Sequence, residues 1–318
     1  MTFHTAPDFK EAVEAAATHY KLREIFIEKD YWVTRVLKNL AESQYADHVV
    51  FKGGTALSKA HGCIERFSED IDLAILKQPG ISDAKLKALI KEVETSVTAG
   101  LTYFAHPSEQ KRGRNRKTFY QYDKKIGAED FGAVKDHIQL EINAFTQPVP
   151  HEKKEIISML GKFLSPGFSD QVKQYGLEPF TINVLTRERT FFEKLLSVVR
   201  LSHDSQAQVL GKLRHFYDMY QILQQQDLRG LVLVDESFAL LDMVRDDDEG
   251  NGTFAGPWLQ LPMAESPLFA DHVTYWSGLT PQYVSELSEL SWSEIPAPGD
   301  VERMLGEIKE FLQRYDRR

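Results

Sequence analysis

The sequence predicts an α+β protein: a small mixed β-sheet core flanked by helices, followed by a mostly helical C-terminal part. Three observations predict it. Short segments alternating apolar and polar residues are interleaved with helical patterns before about Pro148–Pro150. Beyond that point the alternation fades and amphipathic helical stripes dominate. The chain has 318 residues, 42% of them apolar, enough for one large domain or two ordinary ones with a sizeable core. We therefore expect a domain over 1–150 and a helical domain over 151–318.

In chain order, residues 7–42 read as two helices, the second carrying Trp32, Val33, Val36, Leu37 and Leu40 as one stripe. A short strand, Val49–Phe51, runs into Lys52-Gly53-Gly54-Thr55. Residues 56–67 read as helix and 68–76 as a strand. A helix over 83–99 follows, then strands over 100–105, 118–122 and 137–145. In the second half, 190–202, 211–225 and 301–315 are the clearest helices. The last has Val301, Met304, Leu305, Ile308, Phe311 and Leu312 on one face. The acidic run Asp246–Glu249 reads as a solvated loop because Gly250 and Gly252 follow, and 250–267 as loop from its Gly and Pro content.

The composition excludes several classes. With 38 basic and 47 acidic residues the net charge is −9, which argues against coating duplex nucleic acid with the whole surface. The single cysteine, Cys63, excludes an internal disulfide framework and a four-cysteine zinc site. No run approaches ~18 apolar residues, so no membrane partner is expected. The first twenty residues lack the apolar core of a secretory signal, and the expected location is the cytoplasm.

The segment Phe51–Ile75 carries the chemistry. On a strand, Asp70 and Asp72 share a face opposite Ile71, Leu73 and Ile75. Two adjacent carboxylates repel unless a cation lies between them, and a hard divalent ion such as Mg²⁺ or Mn²⁺ suits oxygen ligands and phosphate. A solvated polar strand face is the bland alternative. Gly53-Gly54 lie between strand and helix, where backbone can approach a phosphate closely. Thr55, Ser68 and Lys59 are further candidates for holding a nucleotide: a helix cap, a hydroxyl on the aspartates' face, and a cation one turn into the helix. Glu141, on the polar face of 137–145 with Gln139 and Asn143, offers a third carboxylate. Three carboxylates on neighbouring strands can hold two metal ions about 4 Å apart.

Lys52-Gly53-Gly54-Thr55, Arg66-Phe67-Ser68-Glu69-Asp70-Ile71-Asp72-Leu73, Glu141, Glu193-Lys194 and Arg214-His215-Phe216-Tyr217-Asp218 occur in this order. Together with Glu28-Lys29-Asp30-Tyr31-Trp32-Val33, they resemble the AbiEii/AbiGii toxin family of DNA polymerase β-like nucleotidyltransferases over about 20–225. The resemblance implies a nucleotidyltransferase core and a metal-dependent transfer of NMP from an NTP to an acceptor hydroxyl. Asp70, Asp72 and Glu141 would be the metal ligands. Catalytic roles fall on Asp70, Asp72, Lys194 and Asp218, with Lys194 and Asp218 reaching the cleft from the helical half. Lys194 would also meet the triphosphate. From their place just before the helix over 190–202, Arg187 and Arg189 are further phosphate candidates. The resemblance also implies the toxin of a toxin–antitoxin or phage-defence system, with a cognate antitoxin as partner and the 3′ end of tRNA as preferred acceptor.

Other readings stay open. Arg214 and Asp218 are four apart and read equally well as a helix ion pair. The run Lys111-Arg112-Gly113-Arg114-Asn115-Arg116-Lys117, followed by Tyr120 and Tyr122, reads as a solvated loop or as a landing strip for RNA. His61, His215 and Cys63 match no zinc spacing, and Cys63 reads as a small buried residue in the first helix after the strand. The acceptor could instead be a protein or a small molecule, and a non-catalytic nucleotide- or partner-binding module is the alternative to an enzyme.

Overall fold

The computed structural model describes residues 2–127, 135–228 and 230–318. The chain divides into two compact units, Met1–His61 with Phe67–Leu185, and Gly62–Arg66 with Thr186–Arg318. The division does not fall near residue 150 as the fading alternation suggested. Two strands beyond it, His151–Ile156 and Phe180–Leu185, pair with each other, and the second joins the central sheet.

In the first unit the order is α1 (Phe9–Tyr20), α2 (Glu24–Ala41), β1 (Val49–Lys52), α3 (Gly53–Lys59), β2 (Ile71–Ile75) and α4 (Asp83–Val97). There follow β3 (Thr102–Tyr103), β4 (Gln110–Arg112), β5 (Asn115–Gln121), β6 (Ile138–Asn143), β7 (His151–Ile156), α5 (Met159–Leu164), α6 (Ser169–Gln174) and β8 (Phe180–Leu185). The strands form one mixed sheet in the order β3-β5-β6-β2-β1-β8-β7, with β4 paired to β5. Strand β2 runs parallel to β6 and antiparallel to β1. Alternation puts Phe51, Ile71, Leu73, Leu140 and Ile142 into a core shared with Trp32, Val36 and Leu37 of α2 and Ile90 and Val93 of α4. Helix α3 ends at Lys59, shorter than the sequence pattern suggested, and β2 begins at Ile71. Ser68 and Asp70 therefore precede the strand, in a segment held by side chains.

That segment depends on helix α2. Glu28, Lys29 and Asp30 are three successive charged residues, all buried. Each has a separate task. Glu28 accepts from the backbone N–H of Lys125 (2.6 Å) and Ile126 (3.2 Å). Asp30 accepts from the N–H of Met159 at 2.7 Å and takes the ammonium of Lys59. Lys29 donates to the carbonyls of Lys135 (2.7 Å) and His137, and lies 3.2 Å from a Glu69 carboxylate oxygen. Burial pulls the Lys29 ammonium below its usual range and pushes the Glu69 carboxyl up, while each partner's charge opposes the other's shift.

The second unit comprises α7 (Arg187–Asp204), α8 (Gln206–Leu210), α9 (Leu213–Gln224), α10 (Phe238–Glu249), α11 (Pro267–Ala270), α12 (His272–Leu290) and α13 (Pro298–Tyr315). Its aromatic core includes Phe192 stacked on Phe311 and Phe216 against Trp276. The acidic run 246–249 completes α10 instead of forming a loop, because Asp247 and Asp248 are drawn to Arg189 and Arg200 of α7. Among the described residues no helix is long and apolar enough to cross a membrane.

Lys29→Met should leave Glu69 buried without its cation and lower stability by about 3–5 kcal/mol, read from urea unfolding at pH 7. The double change Lys29→Met/Glu69→Leu should recover much of that loss. An unchanged midpoint in the single variant would remove Lys29 from this role.

Candidate active site

The acid-bearing face is set by strand register. Asp72 pairs with Glu141 across parallel β2 and β6, with Lys52 across β1 and β2, and Glu141 pairs with Lys117 of β5. Register partners share a face. Lys52, Asp72, Glu141 and Lys117 thus form one row over four adjacent strands, all half-buried. Two carboxylates lie side by side in the middle with a lysine at each end.

The glycine turn is built against this row. Gly53 has φ +80°, and a Cβ there would overlap Asp72 Oδ2 and stand 3.1 Å from its Cγ. Only glycine combines that backbone with that approach. Gly54 follows in the first turn of α3. Thr55 is buried; its hydroxyl donates to the Asp70 carbonyl and lies 2.9 Å from Ser68 Oγ. These two hydroxyls tie α3 to the approach of β2. Lys59, expected at a phosphate, is engaged by Asp30.

Asp70 is half-buried just before β2. Its carboxylate takes the ammonium of Lys135 at 2.6 Å, and Lys135 also donates to Gln139 Oε1 at 3.0 Å. Among the described residues no three His, Cys, Asp or Glu side chains stand together as a ready cation cage. The donor set nevertheless suits a hard divalent ion: Asp72 and Glu141 are oxygen donors directly paired in register, with Asp70 two residues upstream of Asp72.

The second unit holds a buried charge cluster of its own. Asp218 of α9 has no exposure and accepts from Arg66 Nε (2.8 Å), Arg66 Nη2 (2.6 Å) and Lys194 Nζ (2.8 Å). Burial alone would raise the Asp218 carboxyl; Arg66 and Lys194 overcome it and hold the group below its usual range. The cluster has two cations and one anion, so it favours a further negative charge. Desolvation, together with nearby Lys194, Lys212 and Arg66, pulls the His215 imidazole well below its usual range. Arg66 lies in the short segment 62–66, which is stitched into this unit. There the Glu65 N–H donates to Tyr217 Oη at 3.1 Å, and its carbonyl accepts from Ser291 Oγ and the Trp292 N–H.

Two local readings are corrected here. Arg214 does not pair with Asp218 along α9; it pairs with Glu286 at 2.8 Å, while Asp218 faces Arg66 and Lys194. Cys63 is buried beyond the end of α3, where burial pushes its thiol up to about 12. Arg187 bonds Asp227 at 2.5 Å, and Glu193 lies 3.5 Å from Arg189. Sequence reasoning missed Arg66, Lys135 and Lys29 as residues of consequence. Arg66 and Lys29 stood inside quoted motifs, whereas Lys135 carried no signal.

The basic run is not a loop. Gln110–Arg112 and Asn115–Gln121 form a hairpin around Gly113, which has φ +62°. Lys111 pairs with Glu109 (2.9 Å), Arg114 with Asp83 (2.9 Å) and Arg116 with Glu94 (2.5 Å).

A family model described as "Nucleotidyl transferase AbiEii toxin, Type IV TA system" matches residues 35–298. The chain belongs to the AbiEii family. It is thus a member of a nucleotidyltransferase toxin family of type IV toxin–antitoxin systems. Among solved structures, MenT4, a nucleotidyltransferase toxin from Mycobacterium tuberculosis H37Rv, is similar with a TM-score of 0.58 and 18% identity, covering 96% of this chain and 92% of that one. At that identity the likeness shows the fold. A proposed nucleotidyltransferase from H. pylori matches with a TM-score of 0.45 and 15% identity, covering 93% of this chain and 96% of its own, a likeness too slight to carry weight. No curated protein matches the sequence.

Because Asp218 is held below its usual range, its pairing stabilises the fold above the unfolded carboxyl's pKa, and that contribution is lost as pH falls through the folded value. Asp218→Asn should therefore unfold more readily than wild type at pH 7, by about 3–5 kcal/mol. The gap between their urea midpoints should narrow as pH is taken from 7 towards 3. A gap constant with pH would refute the charge assignment.

Proposed function

We propose that this AbiEii-family chain is an NTP-dependent nucleotidyltransferase that moves NMP to an acceptor hydroxyl, preferably at the 3′ end of tRNA. The observation that carries the reading is the Asp72–Glu141 register pair with Gly53 packed on the Asp72 carboxylate. Asp70, Asp72 and Glu141 would hold Mg²⁺ or Mn²⁺. When bound, the metal supplies Lewis-acid stabilisation of charge on the phosphoryl oxygens.

The chain's own groups do the rest. Gly53 and Gly54 let the backbone come close to a triphosphate, with Ser68 beside them. Thr55 keeps the Asp70 segment in place. The acceptor oxygen forms a bond to the α-phosphorus, the bond to the β-phosphate oxygen breaks, pyrophosphate leaves, and the hydroxyl proton passes to solvent. Such chemistry is driven by positioning and electrostatics. Lys194 meets the triphosphate, supported by the net positive charge of its cluster. Asp218 accepts three bonds already, so its part in this scheme is to hold Lys194 and Arg66. Arg187 contributes at the phosphates if it leaves Asp227. Lys59 is bound to Asp30 and supports the fold of α2 against α3.

The toxin–antitoxin family implies an antitoxin partner, and phage defence is the setting proposed for the pair. Lys111 and Arg114 are exposed cations of the hairpin. Surface ion pairs of that kind are worth little, so phosphates can compete for both side chains. Transfer to a protein or small molecule is the second reading, and the same assay separates them.

Incubation with each labelled NTP, Mg²⁺ and total RNA should put label on tRNA. Label on protein would change the acceptor, and label nowhere would leave a binding module. Asp72→Ala should abolish labelling while the protein stays folded by circular dichroism; undiminished transfer would sink the site. In a separate RNA-binding titration, Lys111→Gln/Arg114→Gln should reduce the slope of log affinity against log salt by about 1.5. An unaltered slope would make the hairpin a bystander.

A further inference from the structure

The placement of Lys135 is built from below. Its N–H donates to Glu69 at 2.9 Å, and its carbonyl accepts from the fully buried Lys29 at 2.7 Å. Glu69 and Lys29 face each other at 3.2 Å. Both backbone groups of residue 135 are therefore gripped by one buried ion pair. The side chain departs from that anchor and delivers its ammonium to Asp70 Oδ1 at 2.6 Å, with Gln139 Oε1 taking a second hydrogen at 3.0 Å. An exposed lysine held only by its own charge has no such anchor, and its rotamer entropy works against one geometry. Here the backbone is fixed, and the Lys135 and Asp70 side chains are 35% and 31% exposed.

We propose that Lys135 is a further residue of the acid site, an internal counter-ion that occupies Asp70 and competes with the divalent cation for it. A carboxylate oxygen bonded to an ammonium at this distance cannot also bind a metal ion in the same direction. Cation binding at Asp70 Oδ1 must displace Lys135, which keeps Gln139 as its alternative acceptor, and a cation taken by Oδ2 is opposed by the nearby ammonium. The ammonium thus neutralises Asp70, two residues before Asp72, while no cation is bound, and lowers the affinity with which one enters. The inference rests on the reading of Asp70, Asp72 and Glu141 as metal ligands.

The test is Mn²⁺ binding to the full chain, followed by the electron paramagnetic resonance of free Mn²⁺ and by calorimetry, without nucleotide. Lys135→Gln should bind Mn²⁺ about tenfold more tightly than wild type, since one competing positive charge beside the ligand is gone. Lys135→Arg, which keeps the charge, should stay within about twofold of wild type. Both variants retain the backbone grip on residue 135, and their urea midpoints should match wild type. Equal or weaker Mn²⁺ binding by Lys135→Gln would overturn the counter-ion role while leaving the metal site standing. Wild-type binding that Asp72→Asn leaves unchanged, or no Mn²⁺ binding by wild type and Lys135→Gln alike, would overturn the metal reading and this inference with it.

Discussion

A single buried ammonium governs the entrance to both acid-bearing strands. Lys29 is fully enclosed, so its charge must be met within the protein. It is met by Glu69, next to Asp70, and by two carbonyls just ahead of β6, which carries Glu141. Helix α2 therefore clamps the approaches to β2 and β6 at one point. A buried pair of this kind adds little net stability over an apolar core, but it tolerates few alternative arrangements. Its value lies in the register it defends. A slip of one residue in β6 would turn Glu141 into the core and Leu140 or Ile142 onto the polar face.

The same economy of charge recurs in the second unit. Asp218 is buried only because Arg66 and Lys194 surround it, and the three cannot be separated without stranding a charge. Arg66 reaches it from the segment between α3 and β2, four residues before Asp70 in the chain. Ser291 and Trp292 secure that segment through Glu65, so residues beyond 225, outside the quoted motifs, still bear on the charged cluster. The buried charges of these two clusters are thus matched to named partners.

Much of the fold was legible in the residues. The helical stripes of α2, α4, α9 and α13, and the two-residue alternation of β2 and β6, follow from local periodicity. So does the sharing of a face by Asp72 and Ala74, and by Gln139, Glu141 and Asn143. Less legible were features that depend on distant partners. The run 246–249 looked like a loop because glycines follow it, and arginines from another helix made it the end of α10. The basic run looked like a loop because of its charge, and in the hairpin Lys111, Arg114 and Arg116 meet Glu109, Asp83 and Glu94.

By itself the sequence determined which elements form, in what order the motif residues come, and which side chains each strand sends to one face. These are short-range matters, decided by a period of two or of 3.6 residues and by glycine's freedom at positive φ. Only the tertiary structure decided that Asp72 stands opposite Glu141, that Lys59 goes to Asp30, that Asp218 prefers Arg66 and Lys194 to Arg214, and that Lys135 covers Asp70. The physical reason is that a charged side chain in a folded interior chooses among all partners that burial brings near. The spacing of residues along the chain does not contain that choice.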